Sequence, residues 1–299
     1  MSRHQTQEKV KIIKTIHESL NIELNILFKI SNIAKSVYYY WINQLNKPNK
    51  DKYILQAIKQ ICKKCHYTYG YRRVTQVLSS LGFNVNHKKV LKLMQSLALT
   101  CKKFTHRGRR YSSFKGKVGK IANNLMNRRF KTDRPYQKIV TDITEFKLKN
   151  EQKLYLSTFM DVYNSEIISF TTSNRPTLDI VINPLQELID RKPKTSYRLT
   201  IHSDQGWHYQ HAEYIKHLKD NKIFQSMSRK GNCLDNSLME NFFGLLKQEM
   251  FYGNEYGDFN QLEKAIHQYI DYYNNERIKA KLKGLSPINY RKQTCEVIY

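Results

Sequence analysis

The chain has 299 residues, with 51 Lys and Arg against 25 Asp and Glu, a net charge of +26. So large an excess selects a polyanionic partner, and a long phosphate backbone is preferred over an anionic membrane surface because it engages many cations at once. No apolar run reaches the ~18 residues of a membrane span, and MSRHQTQEKVKII lacks a signal-peptide core, so the expected location is the cytoplasm.

In chain order, residues 8–45 predict two helices, the second holding ISNIAKSVYYYWIN with Ser31 and Ser36 as candidate caps. NKPNKD at 46–51 predicts a linker. From Tyr53 to Leu99 the apolar spacing is helical, broken at YTYGY (67–71) and GFNVN (82–86). Short helices joined by tight turns and carrying Arg72, Arg73, Lys88, Lys89 and Lys92 fit a helix-turn-helix-like DNA-binding module. Five cysteines at irregular spacing argue against a disulfide framework. Cys62 and Cys65 resemble half of a zinc site, but they share helical spacing with Ile54, Ile58 and Ile61 and are read as core residues. Residues 102–134 interleave basic and aromatic side chains with Gly and Ser. They predict a flexible arm along phosphates, with Arg109, Arg110, Arg128 and Arg129 as candidate DNA contacts and Tyr111 and Phe114 available for stacking.

After Pro135 the pattern changes to strands, predicted at 138–147, 153–162 and 166–172. A helix at 177–190, a strand at 197–202, a helix at 211–221, a strand at 223–227 and a helix opening at Asp235 follow, and a last helix spans 260–276. Three consecutive strands and then alternating helix and strand predict an α/β domain with a mixed sheet and helices packed on it.

Three carboxylates sit where packing alone explains them poorly. Asp142 lies inside the first strand, although Asp is depleted from strand interiors. Asp204, in HSDQG, follows a strand at the end where α/β sheets collect ligand groups, although a turn Asp before Gly is the simpler account of it alone. Glu240 lies on the polar face of the helix that Asp235 caps, opposite Leu238, Met239, Phe242, Phe243, Leu245, Leu246 and Met250. By itself it reads as a solvated acid favoured by the helix dipole. Gly244 removes bulk beside it at a cost of about 1 kcal/mol relative to Ala. Brought together, three carboxylates without His or Cys select a hard cation, Mg²⁺ or Mn²⁺, and two such ions suit in-line phosphoryl displacement. His202 and His208 read as local orienters or loop residues.

TDIT at 141–144, HSDQG at 202–206, SMSRKGNCLDNSLMENFFGLLKQE at 226–249 and YYNNERIKAKLKGLSPINY at 272–290 resemble the OrfB-type transposases of the bacterial insertion-sequence family numbered three. YGYRRV at 69–74 and ANNLMNRRF before the core extend the resemblance over most of the chain. It implies an RNase H-like, retroviral-integrase-type core on a mixed five-stranded sheet, preceded by the helix-turn-helix-like region. It further implies that Asp142, Asp204 and Glu240 bind two divalent ions, cut the element's 3′ ends with water and join the freed 3′-OH to another phosphodiester. Lys247 matches the family's basic residue that contacts terminal DNA. The partners implied are double-stranded DNA, both element ends and target, further copies of the chain on that DNA, and an upstream-frame DNA-binding protein that either assists or is fused to it. The location becomes the bacterial nucleoid.

The expected organisation is an N-terminal helical segment (1–48), the DNA-binding module (49–101), the basic linker (102–134), the catalytic core (135–255) and a C-terminal helix and tail (256–299). One departure is Ile139, where the family usually has Trp. Two other readings of the residues stand beside this one: a non-catalytic DNA-binding regulator and a simple RNase H-like nuclease.

Overall fold

The computed structural model describes residues 3–47, 50–101, 120–229 and 233–295, and the chain divides into two units, residues 1–57 and 58–299. In the first unit α1 (Arg3–Leu20), α2 (Leu24–Ser31) and α3 (Lys35–Asn46) bury Val10, Ile13, Leu27, Ile33 and Tyr38 together. There are three helices here where the sequence pattern predicts two. Asn32 adopts a left-handed φ of 53°, which an Asn tolerates, and its N–H closes on the Phe28 carbonyl to end α2. Neither serine caps: Ser31 Oγ donates back to the Leu27 carbonyl inside α2, and α3 starts after Ala34, which leaves Ser36 in its first turn.

α4 (Lys52–Lys64) carries the chain across that division, and α5 (Tyr71–Ser80) and α6 (His87–Ser96) follow, with breaks where YTYGY and GFNVN predict them. Gly82, at φ 86°, supplies the left-handed turn that lets Phe83 N–H reach the Leu78 carbonyl, and Asn86 Oδ1 accepts from Lys88 N–H to start α6. Ile58, Ile61, Cys62 and Cys65 are buried, as their helical spacing requires. Burial pushes the Cys62 thiol up to about 11, so it stays protonated and inert.

The sheet has five strands in the order β3-β2-β1-β4-β5. β1 (Lys138–Lys147), β2 (Lys153–Asp161) and β3 (Ile167–Ser173) form an antiparallel meander. β4 (Thr200–Ser203) and β5 (Phe224–Met227) run parallel to β1. α7 (Asp179–Arg191), the single turn α8 (Trp207–Gln210) and α9 (Ala212–Asp220) join them. One face of the sheet is covered by α10 (Ser237–Leu246) and α11 (Phe259–Asn275), the other by α7 and α9, each with its own apolar cluster. A final helix, α12 (Pro287–Cys295), closes the described chain.

On α10, Met239, Phe242, Phe243 and Leu246 are buried against the sheet, each worth about 1.5–3 kcal/mol. Asp235 does not cap this helix: it lies in a preceding 3₁₀ turn, fully buried, and Asn236 occupies the cap position. Past Leu246 the helix loosens into a π turn, Lys247–Phe251, that buries Glu249 and Met250 side by side. β4 is shorter than predicted, because 197–199 form no strand pairing.

Residues 120–134 are docked rather than free. Met126 is buried in the α10–α11 cluster, Leu125 N–H donates to Ser226 Oγ, and Asn124 and Arg128 bond Asp235. The apolar residues interspersed among the basic ones thus hold the end of the linker on the core. The predicted contacts Arg109 and Arg110, and the stacking candidates Tyr111 and Phe114, lie outside the described residues. Among the described residues no helix is long and apolar enough to cross a membrane.

Candidate active site

The short β4 creates the site. It pairs with β1 only from Lys138 to Val140, in the register Val140 with His202. Two residues further along the chain from that pair stand Asp142, inside β1, and Asp204, the first residue past β4, where the parallel pairing stops and α/β sheets open to ligands. Beyond Val140 the β1 edge facing β4 has no strand partner among the described residues, and three of its polar groups are satisfied by side chains. Asn236 Nδ2 donates to the Thr141 carbonyl (3.3 Å), the Asp142 carboxylate accepts from Ile143 N–H (2.8 Å), and Lys247 Nζ donates to the Glu145 carbonyl (2.9 Å). The two ends of α10 are therefore braced against the same open edge.

Alternation along β1 puts Asp142 on the face of Val140 and Phe146, the face that α10 covers. Asp142 is half-buried, and Asp204 and Glu240 reach solvent. The Asp204 carboxylate accepts from Gly206 N–H (2.9 Å) in a tight Asx turn, and a Cβ at Gly206 would stand 3.0 Å from Asp204 Oδ1. Protein crowding around the pair raises both pKa values, Asp142 well above the usual carboxylate range through desolvation and then the charge of Asp204. Glu240 adds to the rise at Asp142, while Lys247, whose Nζ also lies 5.0 Å from the Phe146 ring centroid, opposes it.

Beneath the pair, Tyr209 is buried with its hydroxyl 3.3 Å from Thr141 Oγ1. Burial and the charges of Asp142 and Asp204 keep it a neutral phenol. His202 is buried between Ser226 Oγ (2.8 Å from Nδ1) and Ser228 Oγ (3.1 Å from Nε2). Burial depresses its pKa to about 4, so it is a neutral strut that ties the end of β4 to β5.

The donors fit a hard divalent cation. They are carboxylates only, they repel one another without a cation, and Thr158, directly across β2 from Asp142, carries a buried hydroxyl with no hydrogen-bond partner. The set is assembled as a pair with a third member in electrostatic reach: among the described residues no three His, Cys, Asp or Glu side chains are close enough to hold one ion.

The predicted DNA contacts fall in different surroundings. Arg72 is exposed, its Nε donating to Tyr71 OH, and Arg129 is exposed. Arg73 is half-buried over the Tyr69 ring, with its pKa lowered by burial and by Arg277. Arg128 and Arg229 both bond the buried Asp235 carboxylate. Although burial opposes it, those cations hold Asp235 below its usual pKa.

Sequence reading missed Asp235 as an anchor, because a cap Asp and a buried Asp look alike in LDNS. It also missed the Glu249–Arg277 pair, where Arg277 Nε and Nη2 donate to Glu249 at 2.8 and 2.6 Å in a nearly dry interior. An Arg just past the apolar-faced helix, in YYNNER, was the available signal.

Family models described as "Integrase core domain" match residues 132–233 and 240–295, and one described as "HTH-like domain" matches 48–108. The putative transposase InsK for insertion sequence element IS150 of Escherichia coli (strain K12) is 45% identical over 271 residues, 91% of this chain and 94% of that protein. The transposase InsF for insertion sequence IS3A of the same organism is 26% identical over 277 residues, 90% of this chain and 94% of that protein. Among solved structures, the HTLV-2 integrase catalytic core domain in complex with magnesium aligns at a TM-score of 0.42 and 18% identity, over 54% of this chain and 99% of that one.

Proposed function

This chain belongs to the IS3-type insertion-sequence transposases, DNA transposases with an integrase core and an HTH-like domain, and we propose that Asp142, Asp204 and Glu240 are its catalytic acids. The observation that carries the assignment is the placement of Asp142, inside β1, and Asp204, the first residue past β4, just beyond the last β1–β4 pair, with Glu240 on the helix covering the Asp142 face and felt electrostatically at Asp142.

Mg²⁺ or Mn²⁺, two ions held by the three carboxylates, would supply activation of the attacking oxygen and neutralise charge on the phosphate. The protein's own share is positional. Gly206 N–H orients Asp204, Ile143 N–H orients Asp142, and Asn236 and Lys247 hold α10 and hence Glu240 against the strand edge. Tyr209 and His202 are neutral, so the floor adds no competing charge. In the first step a water oxygen bonds to phosphorus, the P–O3′ bond breaks, and the departing O3′ takes a proton to become a free hydroxyl. In the second that 3′-OH attacks a phosphodiester of the target, forming one P–O bond as another breaks, with no covalent protein intermediate. Lys247, Arg72 and Arg129 are proposed to contact DNA phosphates, with Arg109 and Arg110 in the linker. Arg73 and Arg128 are proposed to do so only through the faces their partners leave open. The working form is proposed to be an oligomer on DNA in the bacterial cytoplasm, joined by an upstream-frame DNA-binding partner.

Strand cleavage and joining with labelled element ends and a target plasmid test the assignment. Asp142→Ala, Asp204→Ala and Glu240→Ala should each abolish cleavage and leave DNA affinity within about threefold. Retained cleavage in all three variants would refute the triad. A wild-type protein that binds the ends and never cuts them would favour a regulator, and one that cuts without joining a simple nuclease.

A further inference from the structure

A cavity of about 330 Å³ opens beside α10. Its wall combines Arg73 from α5, Asn241 and Leu245 from α10, and Arg277, Lys279 and Lys281 from the segment after α11, and none of its lining residues is acidic. The charge of Arg277 is answered by Glu249. Among the described residues Arg73, Lys279 and Lys281 form no ion pair, and the carboxylate whose charge reaches Arg73, Glu249, is already paired with Arg277. Lys279 Nζ donates to Tyr273 OH (2.6 Å) and lies 4.8 Å from that ring's centroid, which fixes its ammonium in the wall rather than letting it extend into solvent. Such an arrangement is costly for the free protein and is offset by an anion that enters the cavity. Burial and then the charges of Arg277, Arg73 and Lys281 push the Lys279 pKa down to about 7, and an anion in the cavity would favour its charged form.

The position of the cavity on α10 identifies the anion. At roughly 100° per residue, Leu245 and Asn241 lie about 140° and 100° around the helix from Glu240, with Ser237 and Gly244 between them at about 60° and 40°. The route from the cavity to Glu240 therefore crosses the helix over a serine and a glycine, small uncharged residues that let a backbone approach closely. This gives Gly244 a reason to sit inside a helix, where it costs about 1 kcal/mol relative to Ala.

We propose that this cavity seats a backbone phosphate of the DNA strand being processed, clamped by Arg73, Lys279 and Lys281, and that the strand then passes over Ser237 and Gly244 to Asp142, Asp204 and Glu240. The assignment rests on the transposase reading and adds to it a phosphate site that joins the helix-turn-helix-like module to the catalytic core.

Binding of a short fluorescein-labelled duplex to the full chain, followed by anisotropy in EDTA between 50 and 200 mM salt, tests it. Lys281→Gln, an exposed and structurally mild change, should weaken binding roughly threefold and lower the log–log salt slope measurably. Lys279→Gln with Lys281→Gln should weaken it roughly tenfold and lower the slope by about 0.9, the value for one phosphate released. Lys283→Asn carries the same charge change as Lys281→Gln two residues outside the cavity and should leave the slope nearly unchanged. Lys279→Arg should restore most of the affinity lost with Lys279→Gln. An unchanged slope in the cavity variants, or an equal fall in Lys283→Asn, overturns the phosphate site while leaving the transposase reading intact. Failure of the wild-type chain to bind the duplex overturns both.

Discussion

Replacing Asp204 with Asn should make the metal-free protein more stable, the reverse of what most substitutions do. Adjacent strands ~4.8 Å apart place the two carboxylates roughly 5 Å from each other. Two unit charges at that separation repel by roughly 3 kcal/mol at an effective dielectric of ~20. Solvent at Asp204 reduces this to about 1–2 kcal/mol. Asn keeps an oxygen for Gly206 N–H, so the turn survives while the repulsion goes.

The pH dependence follows with a defined sign. Folded Asp142 and Asp204 titrate above the ordinary 3.8, so the folded chain holds their protons more tightly than the unfolded one. Metal-free stability should therefore fall as pH rises from about 4 through the folded pKa values, and Asp204→Asn should flatten that fall. Magnesium at ten times its Kd should return about 1.4 kcal/mol to the wild type and little to the variant. Urea denaturation at pH 8, with EDTA or with magnesium, reads both numbers. A variant less stable than wild type in EDTA, or one with the same magnesium gain, would refute the account of the pair.

Three further outcomes are expected. Glu249→Leu should destabilise the second unit by about 3–5 kcal/mol, because it strands the Arg277 charge in a dry interior, and adding Arg277→Met should recover much of the loss in a double-mutant cycle of denaturation midpoints. Gly206→Ala pushes a methyl to 3.0 Å from Asp204 Oδ1, and single-turnover cleavage should slow about tenfold to a hundredfold at saturating metal while DNA affinity holds. Asp235 has a lowered folded pKa, so the stability it contributes is present above 3.8 and lost as pH falls through the folded value. Asp235→Asn should remove that acid-limb dependence and expose the 120–134 segment to limited proteolysis.

The element order of the second unit was legible because it depends on short-range patterning. Strand alternation at 138–147, the breaks at Gly82 and before Asn86, and the apolar arc of Met239, Phe242, Phe243 and Leu246 are properties of neighbours in the chain. The candidate acids were legible for a related reason: an Asp inside a strand conflicts with local propensity, and a conflict at that level marks a position held for something other than packing. The split at Asn32 is not legible in the sequence, because one left-handed residue interrupts a helix without changing its composition.

Tertiary structure decided everything that depends on what stands across from a residue. The parallel pairing of β1 with β4, which stops at Val140 and His202, brings Asp142 and Asp204 together, although 61 residues lie between them in the chain (204 − 142 − 1). The same level of organisation turned Asp235 from an apparent cap into a buried anchor for Arg128 and Arg229, and docked Met126 so that the end of the linker lies on the core. It also gathered Arg73, Lys279 and Lys281 from distant segments into one basic cavity. Local sequence determines which backbone conformation each segment prefers, whereas the burial, pairing and pKa of a charge depend on partners that only the folded chain places beside it.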